Sequence, residues 1–248
     1  MYLYKGKSII LKCWNVGESD LLVTFFSQDW GKIKAFGKNA RSVRNRLCAS
    51  LMPLNYVELV LFGKEDAPSF RLNSCDILSP FPRLRSDLSR LFAALYLVDL
   101  VEAMSPEGEA NRPVFDLLLE TLSLTEEFGS QKTLLRFFEM RFLDFLGYRL
   151  EINKCLYCKN PCTPMAAKFS PMGSGIVCSA CAGRAEEVTG ISPGVLNFMR
   201  IGLSFPLKKG LRLKLNLAQH EELERLLYLC LRHHSSRDFR SKAFLSLV

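Results

Sequence analysis

Ser8 to Arg41 reads SIILKCWNVGESDLLVTFFSQDWGKIKAFGKNAR, and this stretch decides the fold at the front of the chain. Three apolar runs stand out in it: Ser8 to Lys12, Leu21 to Ser27 and Lys32 to Phe36. All are rich in β-branched and aromatic residues, and Gly, Asn and Asp punctuate the gaps between them. Tyr56 to Phe62 and Phe70 to Asn73 continue the pattern, so five short strands and a small barrel are predicted over residues 1–80. Within the third run Lys32, Lys34 and Phe36 alternate, which places two ammonium groups and a ring on one face of a strand.

Charge points to what that face meets. From Trp30 to Val57 there is no acidic residue, yet Lys32, Lys34, Lys38, Arg41, Arg44 and Arg46 all fall inside the stretch. Clustered cations beside an aromatic can track phosphates and stack a base, with Phe36 and Trp30 the candidate rings. The whole chain of 248 residues carries a formal charge of +8, unevenly spread. Residues 1–80 hold eleven Lys and Arg against seven acids, residues 81–150 eight against eleven, and residues 151–248 fourteen against seven. Basic ends around an acidic middle fit two nucleic-acid-facing regions joined by a connector that faces something else.

From Phe81 the apolar period becomes helical. Leu88, Leu91, Phe92, Leu95 and Val98 form one stripe, Phe115, Leu118, Leu119 and Leu122 a second, and Leu134, Phe137, Phe138, Phe142 and Phe145 a third. Such stripes are core. Pro113 is placed at the first position of its helix, Ser130 caps the third, and Ser192 followed by Pro193 opens a later one. A last long helix runs from about Leu217. An all-α part spanning 81–248 is therefore expected, interrupted by a small module at about 151–186.

That module is marked by four cysteines, Cys155-x2-Cys158 and Cys178-x2-Cys181. Each pair lets two thiolates of a tight turn reach one metal, and two such turns supply the closed tetrahedral cage of a structural zinc site. With four protein ligands no position is left open for catalysis. Cys162 follows closely and is taken as a free neighbour. Cys13, Cys48, Cys75 and Cys230 sit among apolar residues in the manner of buried thiols in a cytoplasmic protein. Met1 to Leu11 does not have the make-up of a signal peptide, and the most apolar run, Leu91 to Val98, is far too short to cross a membrane.

Motifs of catalysis are missing: there is no phosphate-binding Gly-rich loop with Lys and Ser or Thr, no nucleophile elbow, and no zinc-protease helix. Paired acids such as Glu126 and Glu127 are consecutive and diverge. No enzymatic activity is expected. His233 and His234 stand at a helix C-terminus, where imidazolium groups favour the dipole.

Ser8 to Arg41 strongly resembles the amino-terminal barrel of the bacterial DNA repair protein RecO family, in which a Gly-Glu-Ser-Asp turn joins two strands and Gly-Lys opens the next; here these are Gly17, Glu18, Ser19, Asp20, Gly31 and Lys32. The resemblance continues through the helical middle, the cysteine pairs and the ending RDFRSKAFLSL from Arg237 to Leu247. It implies an α+β protein with a five-stranded OB-fold barrel followed by an all-helical domain carrying the four-cysteine zinc module. It further implies a DNA repair and recombination mediator associated with the nucleoid. Such a protein binds single- and double-stranded DNA, anneals complementary strands and, with RecR and in some members RecF, loads RecA onto strands coated by single-strand-binding protein. The acidic C-terminal tail of the latter would dock among the C-terminal helices. The DNA-binding residues expected are Lys32, Lys34, Phe36, Lys38, Arg41, Arg44 and Arg46 on the barrel, with Arg237, Arg240 and Lys242 at the rear. Members of the family often carry Arg-Arg-Pro-Lys-Ser after the third strand, where this chain has Arg41, Ser42, Val43, Arg44, Asn45 and Arg46. A zinc-ribbon module that binds RNA or associates with transcription is the alternative reading of the same charge and cysteines.

Overall fold

The computed structural model of the protein describes residues 2–42, 45, 47–63, 69–235, 238, 239 and 241–245. The chain divides into two compact units, Met1–Gly129 together with Phe239–Val248, and Ser130–Asp238.

The first unit opens with strands β1 (Tyr2–Val16), β2 (Asp20–Ser27), β3 (Gly31–Gly37), β4 (Tyr56–Gly63) and β5 (Phe70–Ser79), with a single helical turn α1 (Leu47–Ser50) between β3 and β4. They close into a barrel in the order β1-β2-β3-β5-β4. This is the OB arrangement, in which β1 pairs with both β2 and β4 and a short parallel contact joins β3 to β5. A bulge between Ile10 and Lys12 lets the long β1 bend enough to serve both neighbours. Alternation does the rest: Val23, Phe25, Ile33, Ala35, Leu59 and Leu61 point inward with Ile10 and Leu72, forming the barrel core.

Helices α2 (Pro82–Ser86), α3 (Leu88–Met104) and α4 (Arg112–Phe128) cover part of the barrel's outside. Here β2 is buried on both faces, because the outward Phe26 stacks on Phe115 of α4 with ring centroids 6.3 Å apart. Most of α3 is apolar around its circumference and buried, from Ala93 to Val101. Asp87 and Asn111 cap α3 and α4 through their side chains. Pro113 takes the second position of α4, the first being Arg112. The terminal turn α9 (Lys242–Leu245) returns to α3, where Asp99 Oδ2 accepts from Ser241 Oγ at 2.6 Å.

One glycine fixes how the helices meet the barrel. Gly31 has φ +64°, and a Cβ there would lie 1.8 Å from the Glu109 carbonyl oxygen in the α3–α4 connection. Gly31→Ala combines a left-handed backbone with a steric overlap, and is expected to cost about 3 kcal/mol in a denaturant titration.

In the second unit α5 (Lys132–Phe145) is the central helix, packed by α6 (Pro193–Ser204), α7 (Leu207–Gly210) and α8 (Leu217–His234). Phe137 of α5 stacks on Phe198 of α6 at 5.0 Å. The buried Arg136 pairs with Glu139 at 3.0 Å and reaches Glu224 of α8 at 3.6 Å. Ser192 caps α6 as expected, and Asn216 with Gln219 forms a capping box on α8. The expected Ser130 cap is not used, since α5 starts one residue later with Gln131 as its N-cap and no side-chain bond. Leu91, Phe92, Leu95 and Leu119 of the stripes are half-buried, and two further stripe residues are exposed. Leu88 is 66% exposed and Phe145 39% exposed, because each is the terminal residue of its helix and lies past the packed stretch. The small module is a three-stranded sheet of β6 (Ala167–Ser170), β7 (Gly175–Cys178) and β8 (Thr189–Gly190) in the order β7-β6-β8.

Candidate nucleic-acid interface and metal centre

Along the outer face of β3 the environment changes from closed to open. Lys32 is 9% exposed and its Nζ donates to the Glu102 carbonyl oxygen at 2.8 Å, in the last turn of α3, where a cation complements the helix dipole. Lys34 is half-buried and paired with Glu107 at 2.6 Å. Phe36 is half-buried, and Lys38, just past the strand, is exposed. The alternation anticipated from the sequence therefore sets Lys32, Lys34 and Phe36 on one side, with α3 and its following loop occupying the first two.

At the open end a row of side chains crosses four strands. Trp14 of β1 pairs with Leu22 of β2, Leu22 with Phe36 of β3, and Phe36 with Arg71 of β5. Paired residues share a face, and the core membership of Leu21, Val23, Ala35 and Leu72 shows that this row points outward. At strand spacing it spans roughly 14 Å. Trp14 is 52% exposed, with Lys12 Nζ 4.2 Å from its ring centroid, and Arg71 is exposed. Beside the row lies an open concavity of about 1250 Å³, lined in part by Ser19, Lys38, Asn39, Arg71 and Asp76. Trp30 is not on this row: it packs edge-on against Tyr4 at 5.4 Å beside the barrel core.

The four module cysteines converge. Their Sγ atoms all lie within 4.8 Å of one another, with Cys158 and Cys178 3.8 Å apart. A tetrahedral cage with metal–sulfur bonds of about 2.3 Å has edges of about 3.8 Å. The donor set thus fits a single thiolate-bound metal ion, which would crosslink the two knuckles. Burial raises the Cys155 thiol, but backbone N–H groups of Cys158, Cys178 and Tyr157 lower it further, leaving it at about 6. One of these bonds, Cys178 N–H to Cys155 Sγ, measures 3.4 Å. Cys162 lies outside the group of four. Elsewhere Cys13, Cys75 and Cys230 are pushed up to about 12 by burial and are inert thiols. Cys48 departs from the buried pattern expected of it and is exposed.

Residues 1–81 match the family model described as Recombination protein O N terminal, and residues 85–243 match Recombination protein O C terminal. The chain belongs to the RecO family. It is 32% identical over 241 residues to the DNA repair protein RecO of Syntrophus aciditrophicus, covering 96% of this chain and 93% of that one. It is 31% identical over 245 residues to the DNA repair protein RecO of Pelotomaculum thermopropionicum, covering 99% and 94%. The Gly-Glu-Ser-Asp turn that suggested RecO has a clear task in this chain. Asp20 Oδ1 accepts from Asn39 N–H at 2.7 Å, the Ser19 carbonyl accepts from Arg41 N–H at 2.9 Å, and the Glu18 carbonyl accepts from the Arg41 guanidinium at 2.9 Å. The turn between β1 and β2 therefore clamps the one after β3, where Asn39 has φ +54°; this holds Arg41 in place and sets Lys38 and Asn39 at the rim of the concavity.

Of the DNA-binding residues expected from the sequence, Lys34, Phe36, Lys38 and Arg41 lie on or beside this face, and Lys32 lies beneath the helices. Lys242 is half-buried at the start of α9. Arg44, Arg46, Arg237 and Arg240 lie outside the described residues. Trp14 lies beyond the predicted end of the first strand at Lys12, because β1 runs on to Val16, whereas Leu22 and Arg71 fall inside predicted strands and only strand pairing sets them on this face. Among the described residues no helix is long and apolar enough to cross a membrane.

Arg200 and His234 help to fasten the module within its unit. Arg200 of α6 donates to the Ile152 and Cys162 carbonyls at 2.9 and 3.3 Å. His234, at the end of α8, stacks on Tyr148 at 3.9 Å, and its Nε2 is 2.9 Å from Ser174 Oγ. Burial first, then the neighbouring His233, lowers the His234 pKa below its ordinary value, so the ring is held neutral and does not serve the helix dipole as anticipated. Protonation is thus favoured in the unfolded chain. Its contribution to stability is complete above the ordinary histidine pKa of about 6.5 and declines as pH falls through it. His234→Gln should flatten the fall in melting temperature between about pH 7 and pH 5, as measured by scanning fluorimetry.

Proposed function

We propose that this RecO-family protein is a non-enzymatic mediator that binds single- and double-stranded DNA, anneals complementary strands and, with RecR, helps to load RecA onto strands coated by single-strand-binding protein. The observation that supports this most is the outward row Trp14, Leu22, Phe36 and Arg71, beside Lys38 and Arg41, on the OB surface that commonly receives oligonucleotides. Rings there would stack bases, and the cations would bind phosphates without reading sequence. Neutralising two backbones at close range removes much of the repulsion that opposes pairing, which is what an annealing protein must do. In this reading Lys38, Arg41 and Arg71, with Arg44 and Arg46, contact phosphates. Lys32 and Lys34 chiefly attach the helices to the barrel. Arg237, Arg240 and Lys242 contribute further positive charge.

The metal is proposed to be one structural zinc ion per chain, held by Cys155, Cys158, Cys178 and Cys181. The second unit also offers a groove of about 290 Å³ lined by Arg141, Asp144, Phe145, Leu203, Ser204, Phe205 and Pro206, with Phe145 and Phe205 exposed. An acidic tail ending in apolar residues suits it, and we assign it to the tail of single-strand-binding protein. Calorimetry with such a tail peptide should show binding that Phe205→Ala abolishes; the absence of heat would remove this assignment. The central reading is tested by mixing complementary fluorescent strands. Annealing should accelerate at low salt and slow steeply as salt rises, and RNA should compete no better than single-stranded DNA. No acceleration at any salt defeats it.

A further inference from the structure

A fifth thiol stands beside the metal group. Cys162 is buried, at 8% exposure, and its S–H is directed to the Asn160 carbonyl oxygen at 3.9 Å, the same oxygen that accepts from Cys155 N–H at 2.9 Å. Its backbone is held from two sides. Cys162 N–H donates to the Asn153 carbonyl at 3.3 Å within a narrow loop closed by the Lys154–Pro161 bridge, and Arg200 donates to the Cys162 carbonyl. Cys158, by contrast, sits at the outer end of that loop and is exposed, next to Lys159 with φ +60°. The loop therefore carries two sulfurs, one exposed and in the ligand set, the other shielded and sharing the Asn160 carbonyl with a ligand that would stay in place. An exposed thiolate is the one that a peroxide reaches first.

We propose that Cys162 is a reserve metal ligand that takes the place of Cys158. When Cys158 is lost, by peroxide oxidation to the sulfenic acid with release of water or by substitution, its bond to the metal breaks. Cys162 then gives its thiol proton to solvent and its sulfur bonds the metal, so four thiolates are restored. The movement falls on residues 156–161, since Cys162 is anchored by the backbone bonds just described. This inference rests on the reading that the quartet holds a metal.

The test compares the full-length protein with Cys158→Ala, Cys162→Ala and the double variant, by zinc content after gel filtration and by the sulfur-to-metal charge-transfer absorption of the cobalt-substituted forms. Wild type without bound metal would defeat the underlying metal reading, which separates that failure from the one below. With metal present in wild type, Cys158→Ala should keep one zinc and the absorption of four thiolates. The double variant should fall to about three-quarters of that absorption and bind zinc about tenfold more weakly or worse. If Cys158→Ala and the double variant match in both readouts, Cys162 is no ligand. Should Cys158→Ala fail to fold, peroxide-driven zinc release decides: Cys162→Ala should lose metal about tenfold faster than wild type, and equal rates overturn the proposal.

Discussion

Changing Lys38, Arg41 and Arg71 together to alanine should weaken binding to a thymidine homopolymer by about 100-fold at moderate salt. All three are exposed; Lys38 and Arg71 line the barrel's open concavity, and Arg41 lies between its lining residues Asn39 and Ser42 in the chain. A charge-assisted phosphate contact is worth at least about 1 kcal/mol, and three amount to roughly two decades in the binding constant. The decisive readout is the salt dependence. Each lost phosphate contact on a single strand removes about 0.7 from the log-log slope, so the triple variant should be flatter by about 2. Trp14→Ala and Phe36→Ala separate the two kinds of contact. Each should cost about 1–3 kcal/mol of affinity while leaving the slope unchanged, because a ring releases no counterions. Lys34→Ala serves as the internal control: with its ammonium committed to Glu107 at 2.6 Å, its removal should change affinity by no more than about twofold. A triple variant with wild-type slope would mean that the strand lies elsewhere, and a Lys34 variant as weak as the triple one would relocate the face toward the helices.

That contrast between Lys34 and Arg71 shows what was legible beforehand. The alternation of Lys32, Lys34 and Phe36 gave their common face correctly, since side-chain direction in a strand is a local property. Which part of that face meets solvent is not local. It depends on α3 and the loop carrying Glu107, far along the chain, and nothing in the composition of β3 reveals their arrival. The same holds for Gly31, whose place in Gly-Lys looked like a strand-opening turn but which also admits the backbone of Glu109. Arg71 and Trp14 became visible only through strand pairing, because each is adjacent to Phe36 or Leu22 in register and remote in sequence.

The helical part follows the same division. Phe137, Phe138 and Phe142 were readable as core from their period, whereas the end residues Leu88 and Phe145 were not, as periodicity assumes a partner along the whole helix. The cysteine quartet was the most legible feature of all. Each Cys-x2-Cys turn is a self-contained piece of geometry, and β6 and β7, which pair Ala167 with Cys178, bring the second turn back over the first.

Loss of the proposed metal site should have the largest effect on stability. Cys155→Ser with Cys181→Ser removes the two buried ligands and leaves a partly exposed pair, so the protein should retain no bound zinc after gel filtration. The module's apolar interior is small, chiefly Ile152, Phe169, Ile176 and Val177, and it lacks the area to hold its loops alone. Structural zinc contributes about 10 kcal/mol or more to the folding of isolated modules. Here the remaining sheet and the Arg200 and Ser174–His234 contacts offset part of the loss. A net cost of about 5 kcal/mol is expected, lowering the melting temperature of this unit by roughly 20 °C. Chelation of the wild type should reproduce the shift, and restored zinc should reverse it. Single-stranded DNA affinity should stay within about threefold of wild type, because the proposed contacts belong to the barrel and the metal has no open position from which to act. An unshifted melting curve with the metal gone would show that the knuckles fold without it.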